Sequence, residues 1–177
     1  MTASELARRI KLASRGRISE AAVRFNCGHL IEEYIRQFDW GEDFKFEHEW
    51  RVARGHVDMA FGRVRFEWEP PGQIKRGIRQ LTQKYLPEEV EEHSLDPYRL
   101  AGVAIDGRNI CFVRWEQGRW QPSEVLEVSK NSLEQLTDYI RGLFGKILSA
   151  QNLAKDFGPG STAAQEAIAA EPPSIGV

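Results

Sequence analysis

Residues 55–72 read GHVDMAFGRVRFEWEPPG, and this stretch constrains the fold more than any other part of the sequence. Apolar and polar residues alternate on both sides of Gly62-Arg63, which is the pattern of two β-strands joined by a two-residue turn. Pro70 and Pro71 follow the second strand and end it, because proline has no amide hydrogen for a ladder bond. The stretch therefore predicts a β-hairpin whose successive side chains point to opposite faces.

The two-residue turn fixes which side chains of this hairpin are neighbours. It pairs Phe61 with Val64. Counting back along both strands then places Asp58 opposite Glu67, with Cβ atoms about 4.5–5.5 Å apart, on the face that we expect to point away from the core. Two carboxylates in this arrangement repel each other and destabilise the sheet. Mg²⁺ would convert that repulsion into coordination, since it binds one or two carboxylates and keeps waters for a substrate.

A solvated sheet face explains the same alternation without a metal ion. Antiparallel sheets often expose one face to water, and alternating charged residues are its usual composition. Arg51, Arg65 and His56 carry or can acquire positive charge that would neutralise the carboxylates through surface pairs. The residues alone leave both interpretations open, because clustered carboxylates occur in ion-pair networks as well as in functional sites.

The rest of the chain predicts an α/β fold with a mixed central sheet of about five strands flanked by helices. Helices are predicted at residues 4–13, from Ser19 or Glu20 to about Phe38, at 73–86, and after a capping box that begins at Ser132. Strands are predicted at 44–52, on both sides of Gly62, at 100–105 and at 109–115. The acidic stretch 87–97 has no periodic apolar face, so we predict a connection there.

Composition and domain boundaries narrow the classes of protein that fit. We divide the chain into a basic N-terminal segment at 1–17, a folded domain at 18–150, and a flexible linker or exit segment at 151–177, which is rich in Gly, Pro and small residues. The two cysteines lack metal-site spacing, and no stretch has the length of a membrane span. We therefore expect a cytoplasmic protein with no membrane partner. The net charge of −2 means that nucleic-acid binding would need a local basic patch.

The order of elements and acids resembles the PD-(D/E)XK nuclease superfamily. The order is helix, strand, strand with Asp58, strand with Glu67-Trp68-Glu69, then helix. Residues 18–160 resemble in particular the nuclease-like N-terminal domain of restriction–modification proteins fused to an adenine-specific DNA methyltransferase. The phrases that carry this likeness are GHVDMAFGRVRFEWEPPG, IRQLTQKYL, AGVAIDGRNICFVRW and NLAKDFGPGS.

This resemblance implies a restriction-endonuclease-like fold for residues 18–150 and an activity, the metal-dependent hydrolysis of phosphodiester bonds in double-stranded DNA. The implied cofactor is Mg²⁺ or Mn²⁺, and a methyltransferase domain or subunit is a further implied partner. The implied metal ligands are Asp58, Glu67 and, from the first long helix, Glu20. A first-turn glutamate is also favoured by the helix dipole, which explains Glu20 equally well without a metal.

One position departs from the superfamily pattern. Glu69 stands where a lysine is common, so its implied role is to ligate a second metal ion or to act as a base, with Lys75 supplying the missing cation. The departure leaves a second function open, a catalytically inactive nuclease-fold module that binds DNA or scaffolds a methyltransferase. Gln80 and Tyr85 are similar to a Gln/Tyr pair found in some nuclease branches. Their spacing of five instead of four favours simple packing for Tyr85.

Overall fold

The computed structural model describes residues 1–16, 18–38, 46–52 and 55–144. Within these ranges the helices are α1 (Ala3–Ala13), α2 (Glu20–Arg36), α3 (Ile74–Gln80), α4 (Leu86–His93) and α5 (Lys130–Phe144), with a π-helical turn at Leu81–Tyr85 and a 3-10 turn at Pro97–Arg99. The strands are β1 (Phe46–Val52), β2 (Gly55–Phe61), β3 (Val64–Trp68), β4 (Ala101–Ile105), β5 (Asn109–Glu116), β6 (Arg119–Pro122) and β7 (Leu126–Glu127). The predicted linker at 151–177 lies outside the described residues.

The described strands form a mixed sheet in the order β1-β2-β3-β4-β5-β6, and β7 pairs with β5. β3 and β4 run parallel, and the other pairs are antiparallel. This arrangement confirms the predicted α/β class and is consistent with a restriction-endonuclease-like fold. β6 and β7 were not predicted, because strands of four and two residues offer too little alternation to recognise.

Helices cover both faces of the sheet. On one face α2 packs against β3, where Gly28 lies beside the ring of Trp68, and α5 adds Tyr139. On the other face the helices from α3 to α4 cover β3 and β4, and Leu81 lies against Gly102. Both sets of alternating side chains on β3 are therefore enclosed. The prediction that the carboxylate face of the hairpin points away from the core is wrong.

The second helical region is longer than predicted. Its first part matches the predicted helix at 73–86, but α4 continues to His93, so the connection predicted at 87–97 begins only after α4 ends. Pro87 lies in the first turn of α4, where a missing amide hydrogen removes little. The apolar face of α4 is narrow because one of its inward positions is Glu89, which is buried. Because Glu89 interrupts the spacing of apolar residues, the hydrophobic periodicity of the sequence does not indicate this helix.

Two helix starts test the capping predictions. Ser19 caps α2 as predicted, with its hydroxyl accepting from the Ala22 amide at 3.2 Å. The start predicted at Ser132 is wrong, because α5 begins at Lys130. Ser129 and Ser132 exchange reciprocal amide-to-hydroxyl bonds of 2.9 and 3.2 Å, which makes Ser129 the cap.

The described residues from Met1 to Leu143 belong to a single folded unit. α1 contributes the buried side chains of Leu6 and Ile10 to it. None of the helices in the described ranges combines the length and the apolar character needed to cross a membrane.

Candidate metal centre

The candidate centre lies where β2 separates from β3. The predicted hairpin register is confirmed by the pairs Phe61–Val64 and Met59–Phe66. Before Met59, β2 continues its pairing with β1, while β3 continues beside β4. The Trp68 amide therefore bonds to the side chain of Asp58, whose Oδ2 accepts from it at 2.9 Å.

Asp58 is held between the sheet and α2. Its side chain is largely buried, and Oδ1 accepts a hydrogen bond from Nη1 of Arg24 at 3.0 Å. Arg24 also lies 3.4 Å from Glu49 of β1. Burial raises the pKa of Asp58, although the Trp68 amide and Arg24 act in the opposite direction. Arg24 thus compensates only one of the buried carboxylates. It lies 34 residues from Asp58 in the sequence, so no local pattern identifies it as a partner.

Glu67 differs from the other acids of the centre because it forms no ion pair in the described part of the chain. It is 4% exposed, and its Oε2 atom has no hydrogen-bond partner in the described part of the chain. Burial raises the pKa of Glu67 to about 9, and the negative charges of Asp58 and Glu69 contribute further. Without a cation this carboxyl group is protonated at neutral pH, because an isolated charge is costly to bury.

Glu69 is fully buried two residues further along the chain. Neither of its carboxyl oxygens has a hydrogen-bond partner among the described residues. Burial raises its pKa to about 7, which Arg76 opposes and the charges of Glu20 and Asp58 reinforce. Nη1 of Arg76 lies 3.5 Å from Glu69 and 3.1 Å from Glu20. Arg76 therefore links the first turn of α2 to the buried acid.

Gly77 allows α3 to lie directly over these acids. A Cβ atom at this position would be 3.1 Å from Cγ of Glu69 and 3.4 Å from Cγ of Glu67. Any larger residue would force the helix or the carboxylates to move. The sequence signal was a glycine inside a predicted helix, which often has a packing reason.

The π-helical turn changes how Gln80 and Tyr85 relate to the centre. A π turn bonds residues five apart, here from the Leu86 amide to the Leu81 carbonyl, and so brings positions five apart to one side of the helix. The pKa of Tyr85 is raised to about 12, mainly by burial and then by the charges of Glu67 and Asp58. Tyr85 packs in the core, as predicted, and also borders the acids.

The remaining predicted site residues occupy different positions. Glu20 lies in the first turn of α2, where Arg76 binds it and its charge raises the pKa values of Asp58, Glu67 and Glu69. Lys75 is exposed on α3 and forms no ion pair with these acids in the ranges that the structure describes. The neighbouring Arg76 is the side chain that reaches them, so the role of Lys75 stays a prediction.

A cavity of about 850 Å³ reaches Asp58, one of the acids of this centre. Asp58 lies in its wall together with Arg24, Phe25 and Glu49. Phe25 is 79% exposed at the surface of α2. A substrate in this cavity would contact Asp58 directly, while α3 shields Glu67 and Glu69 from the other side.

The donor set suits a hard divalent cation. Oxygen atoms of carboxylates are the preferred ligands of Mg²⁺ and Mn²⁺, and the unpartnered oxygens of Glu67 and Glu69 are of this type. Among the described residues, no group of three or more His, Cys, Asp and Glu side chains is placed to hold a metal ion. The oxygen ligands therefore suit such an ion in chemical type alone, and the nearby cationic charge comes from Arg24 beside Asp58 and Arg76 beside Glu69.

Comparisons with known proteins add no independent evidence on this centre. The acids come from β2, β3 and α2, and their partners come from α2 and α3. No protein-family model, no curated protein and no solved structure matches this chain.

Proposed function

We propose that this chain is a metal-dependent nuclease domain that hydrolyses phosphodiester bonds in double-stranded DNA. The observation that supports this function is the buried Glu67 carboxyl group, which has an unpartnered oxygen and is close enough to Asp58 for the charge of Asp58 to raise its pKa. The setting in a restriction–modification system, with a methyltransferase domain or subunit as partner, is proposed from the sequence resemblance.

A metal ion gives a physical reason for an otherwise unfavourable cluster. Raising the pKa of Glu67 from 4.5 to about 9 means that its ionised form is strongly destabilised in the folded chain. A bound cation would reverse this, because coordination requires the ionised carboxylate. The Asp58 backbone amide hydrogen-bonds to the Glu67 carboxyl group, but Oε2 of Glu67 has no partner in the described ranges and could accept a cation.

The roles of the side chains follow from their positions. Asp58 and Glu67 would hold Mg²⁺ or Mn²⁺, with Glu20 close enough to influence both. When bound, the ion lowers the pKa of a water and stabilises negative charge on the attacked phosphate. Glu69, with a pKa of about 7, would accept a proton on its carboxyl oxygen at neutral pH, as a general base does. α3 would exclude bulk water from these groups.

One observation favours a second candidate, a catalytically inactive module that binds DNA or scaffolds a partner. Glu69 replaces the lysine of the superfamily, and no described lysine forms an ion pair with Asp58, Glu67 or Glu69. The two nearby arginines are shared among acids, Arg24 between Asp58 and Glu49 and Arg76 between Glu20 and Glu69. Positive charge for the transition state would then have to come from the metal.

Plasmid nicking separates the two candidates. We expect the full chain to nick supercoiled plasmid with Mg²⁺ or Mn²⁺, and Asp58→Asn and Glu67→Gln each to abolish nicking. Glu91→Gln, on the exposed surface of α4, is the matched control and should nick normally. A chain that binds the plasmid without nicking it under either metal would support the inactive module and contradict the nuclease.

A further inference from the structure

A second cavity lies between the C-terminal end of α1 and the turn that joins β4 to β5. It has a volume of about 540 Å³ and is lined by Lys11, Ser14, Arg15, Gly16, Arg108, Asn109 and Glu127. We propose that it is a phosphate-binding site, in which Arg15 and Arg108 hold the backbone of the DNA substrate beyond the candidate metal centre. The polymeric nature of the ligand rests on the proposed function.

The charges of this cavity are unbalanced in favour of an anion. Glu127 is the one acidic residue in its lining as described, and it is paired with Lys11 at 2.5 Å. Arg15 and Arg108 are exposed and form no ion pair in the described ranges. The arginines within α1 differ, since Arg8 pairs with Glu5 and Arg9 with Glu33. Two guanidinium groups without carboxylate partners suit phosphate, which they bind through paired hydrogen bonds.

Close backbone packing holds the two arginines on adjacent loops. Gly107 has φ +77°, and a Cβ atom there would lie only 1.9 Å from Oγ of Ser14. Ser14 is buried, with Oγ 3.4 Å from Sγ of Cys27. Arg15 directly follows Ser14, and Arg108 directly follows Gly107. The two loops are in close contact, so the distance between the backbones of Arg15 and Arg108 is set before any ligand binds.

The backbone of Arg108 is fixed on both sides. Its amide donates to Oδ1 of Asp106 at 2.9 Å, and its carbonyl accepts from the Val128 amide at 2.7 Å. Asp106 is fully buried, and its carboxylate also accepts from the amides of Gly72 and Asn109. Because Asp106 is occupied by backbone amides, it leaves the Arg108 guanidinium uncompensated. A fixed loop loses little conformational entropy on binding.

Two hydrogen bonds connect the loop that carries Arg108 to the chain segment that carries Glu69. The Glu69 amide donates to the Ile105 carbonyl at 2.9 Å, and the Gly72 amide reaches Asp106. Arg108 follows Ile105 by three residues, so their Cα atoms are at most about 11 Å apart. The loop that carries Arg108 therefore lies close to the chain segment that carries Glu69.

The salt dependence of DNA binding tests this site. Fluorescence anisotropy of a labelled duplex, in EDTA so that it is not cleaved, would be measured for the full chain at increasing salt. Each phosphate contact contributes about 0.9 to the slope of log affinity against log salt, so Arg15→Ala/Arg108→Ala should reduce the slope by about 2. Arg15→Lys/Arg108→Lys should keep it. Arg8→Ala, whose arginine is paired with Glu5, is the matched control and should leave the slope unchanged.

The outcomes separate this site from the proposed function. A wild-type slope in the alanine double variant overturns the site, whatever the plasmid assay gives. An arginine-dependent slope in a chain that never nicks plasmid supports the site and contradicts hydrolysis. Competition by deoxyadenosine monophosphate distinguishes the sources of phosphate. Tight mononucleotide binding that is lost in the alanine variant, with no change in duplex binding, would contradict a backbone site.

Discussion

β3 carries two charged groups on the same face, and their surroundings differ sharply. Arg65 is buried and paired with Glu89 of α4, with Nε donating to Oε2 at 2.6 Å and Nη1 donating to the Gly62 carbonyl at 2.7 Å. Glu67, two residues further on, has an oxygen with no partner in the described ranges, and Glu69 has two. Along a few residues of the chain, a buried and paired arginine is thus followed by two buried carboxyl groups that have unpartnered oxygens.

The two groups differ in whether their polar atoms have partners. The Arg65–Glu89 pair balances its charges and uses its donors on defined acceptors, so it joins α4 to the sheet. It also removes Arg65 from the set that the solvated-face interpretation needed to neutralise the hairpin acids. The cluster of Asp58, Glu67 and Glu69 instead buries carboxyl groups with raised pKa values, and three of their oxygens have no partner in the described ranges. Such an arrangement lowers stability and is typical of sites that bind a cation.

The largest expected effect comes from breaking the neutralised pair. Arg65→Met leaves Glu89 buried and unpaired, which should lower the free energy of unfolding by about 3–5 kcal/mol. Arg65→Met/Glu89→Leu removes both charges and should recover much of this loss. Urea denaturation of the two variants and wild type gives the values. Equal losses in the single and double variants would contradict the importance of the pair.

The acid cluster should respond to pH in the opposite sense from a stabilising acid. The pKa of Glu67 rises on folding from 4.5 to about 9, so its contribution to stability is complete below pH 4.5 and is lost as pH rises towards 9. We expect Glu67 to cost metal-free protein about 3 kcal/mol of unfolding free energy between pH 6 and pH 8. Glu67→Gln should flatten this dependence.

Metal ions extend the same measurement. Mg²⁺ or Mn²⁺ should restore the stability of wild type at pH 8, because ligands that bind only the folded state stabilise it. The same ions should leave Glu67→Gln unchanged. Identical pH profiles for wild type and Glu67→Gln in EDTA would show that this carboxyl group is not the source of the effect.

A smaller effect is expected at the glycine that covers the acids. Gly77→Ala places a methyl group against Glu69 and Glu67, and we expect a net loss of about 1 kcal/mol after the gain in helix propensity. Plasmid nicking should also fall, since the carboxylates are displaced. Gly142→Ala in α5 is the matched control, because nothing lies within 4 Å of its Cβ position. It should stabilise the chain by up to about 1 kcal/mol.

The smallest expected effect distinguishes two neighbouring cations of α3. Lys75→Gln should change stability by less than about 0.5 kcal/mol and leave the pH profile of nicking unchanged. Arg76→Gln removes the charge that opposes the raised pKa of Glu69, so the profile should shift to higher pH. A loss of nicking in Lys75→Gln alone would instead support the role that the sequence resemblance gave to Lys75.

The parts of this fold that depend on short-range patterns could be predicted from the sequence. The hairpin register follows from a two-residue turn, and the cap at Ser19 follows from local hydrogen bonding. Both need only a few neighbouring residues. The strands at 101–105 and 109–116 could likewise be predicted, because their apolar runs are continuous.

The parts that depend on distant segments could not be predicted. Arg24 reaches Asp58 across 34 positions, and Arg65 reaches Glu89 across 24. The burial of Glu67 depends on α3, which packs closely only because of Gly77. In the sequence these are single charged residues or a glycine, and nothing local identifies their partners.

The bond between the Trp68 amide and Asp58 gives the centre a built-in reporter. Most amides of a sheet are protected by a carbonyl of the next strand, but this one is protected by a titratable side chain. Anything that binds or protonates Asp58 therefore changes hydrogen exchange at one backbone position and leaves the rest of the sheet as a reference. Occupancy of the centre becomes readable in the absence of any substrate or turnover.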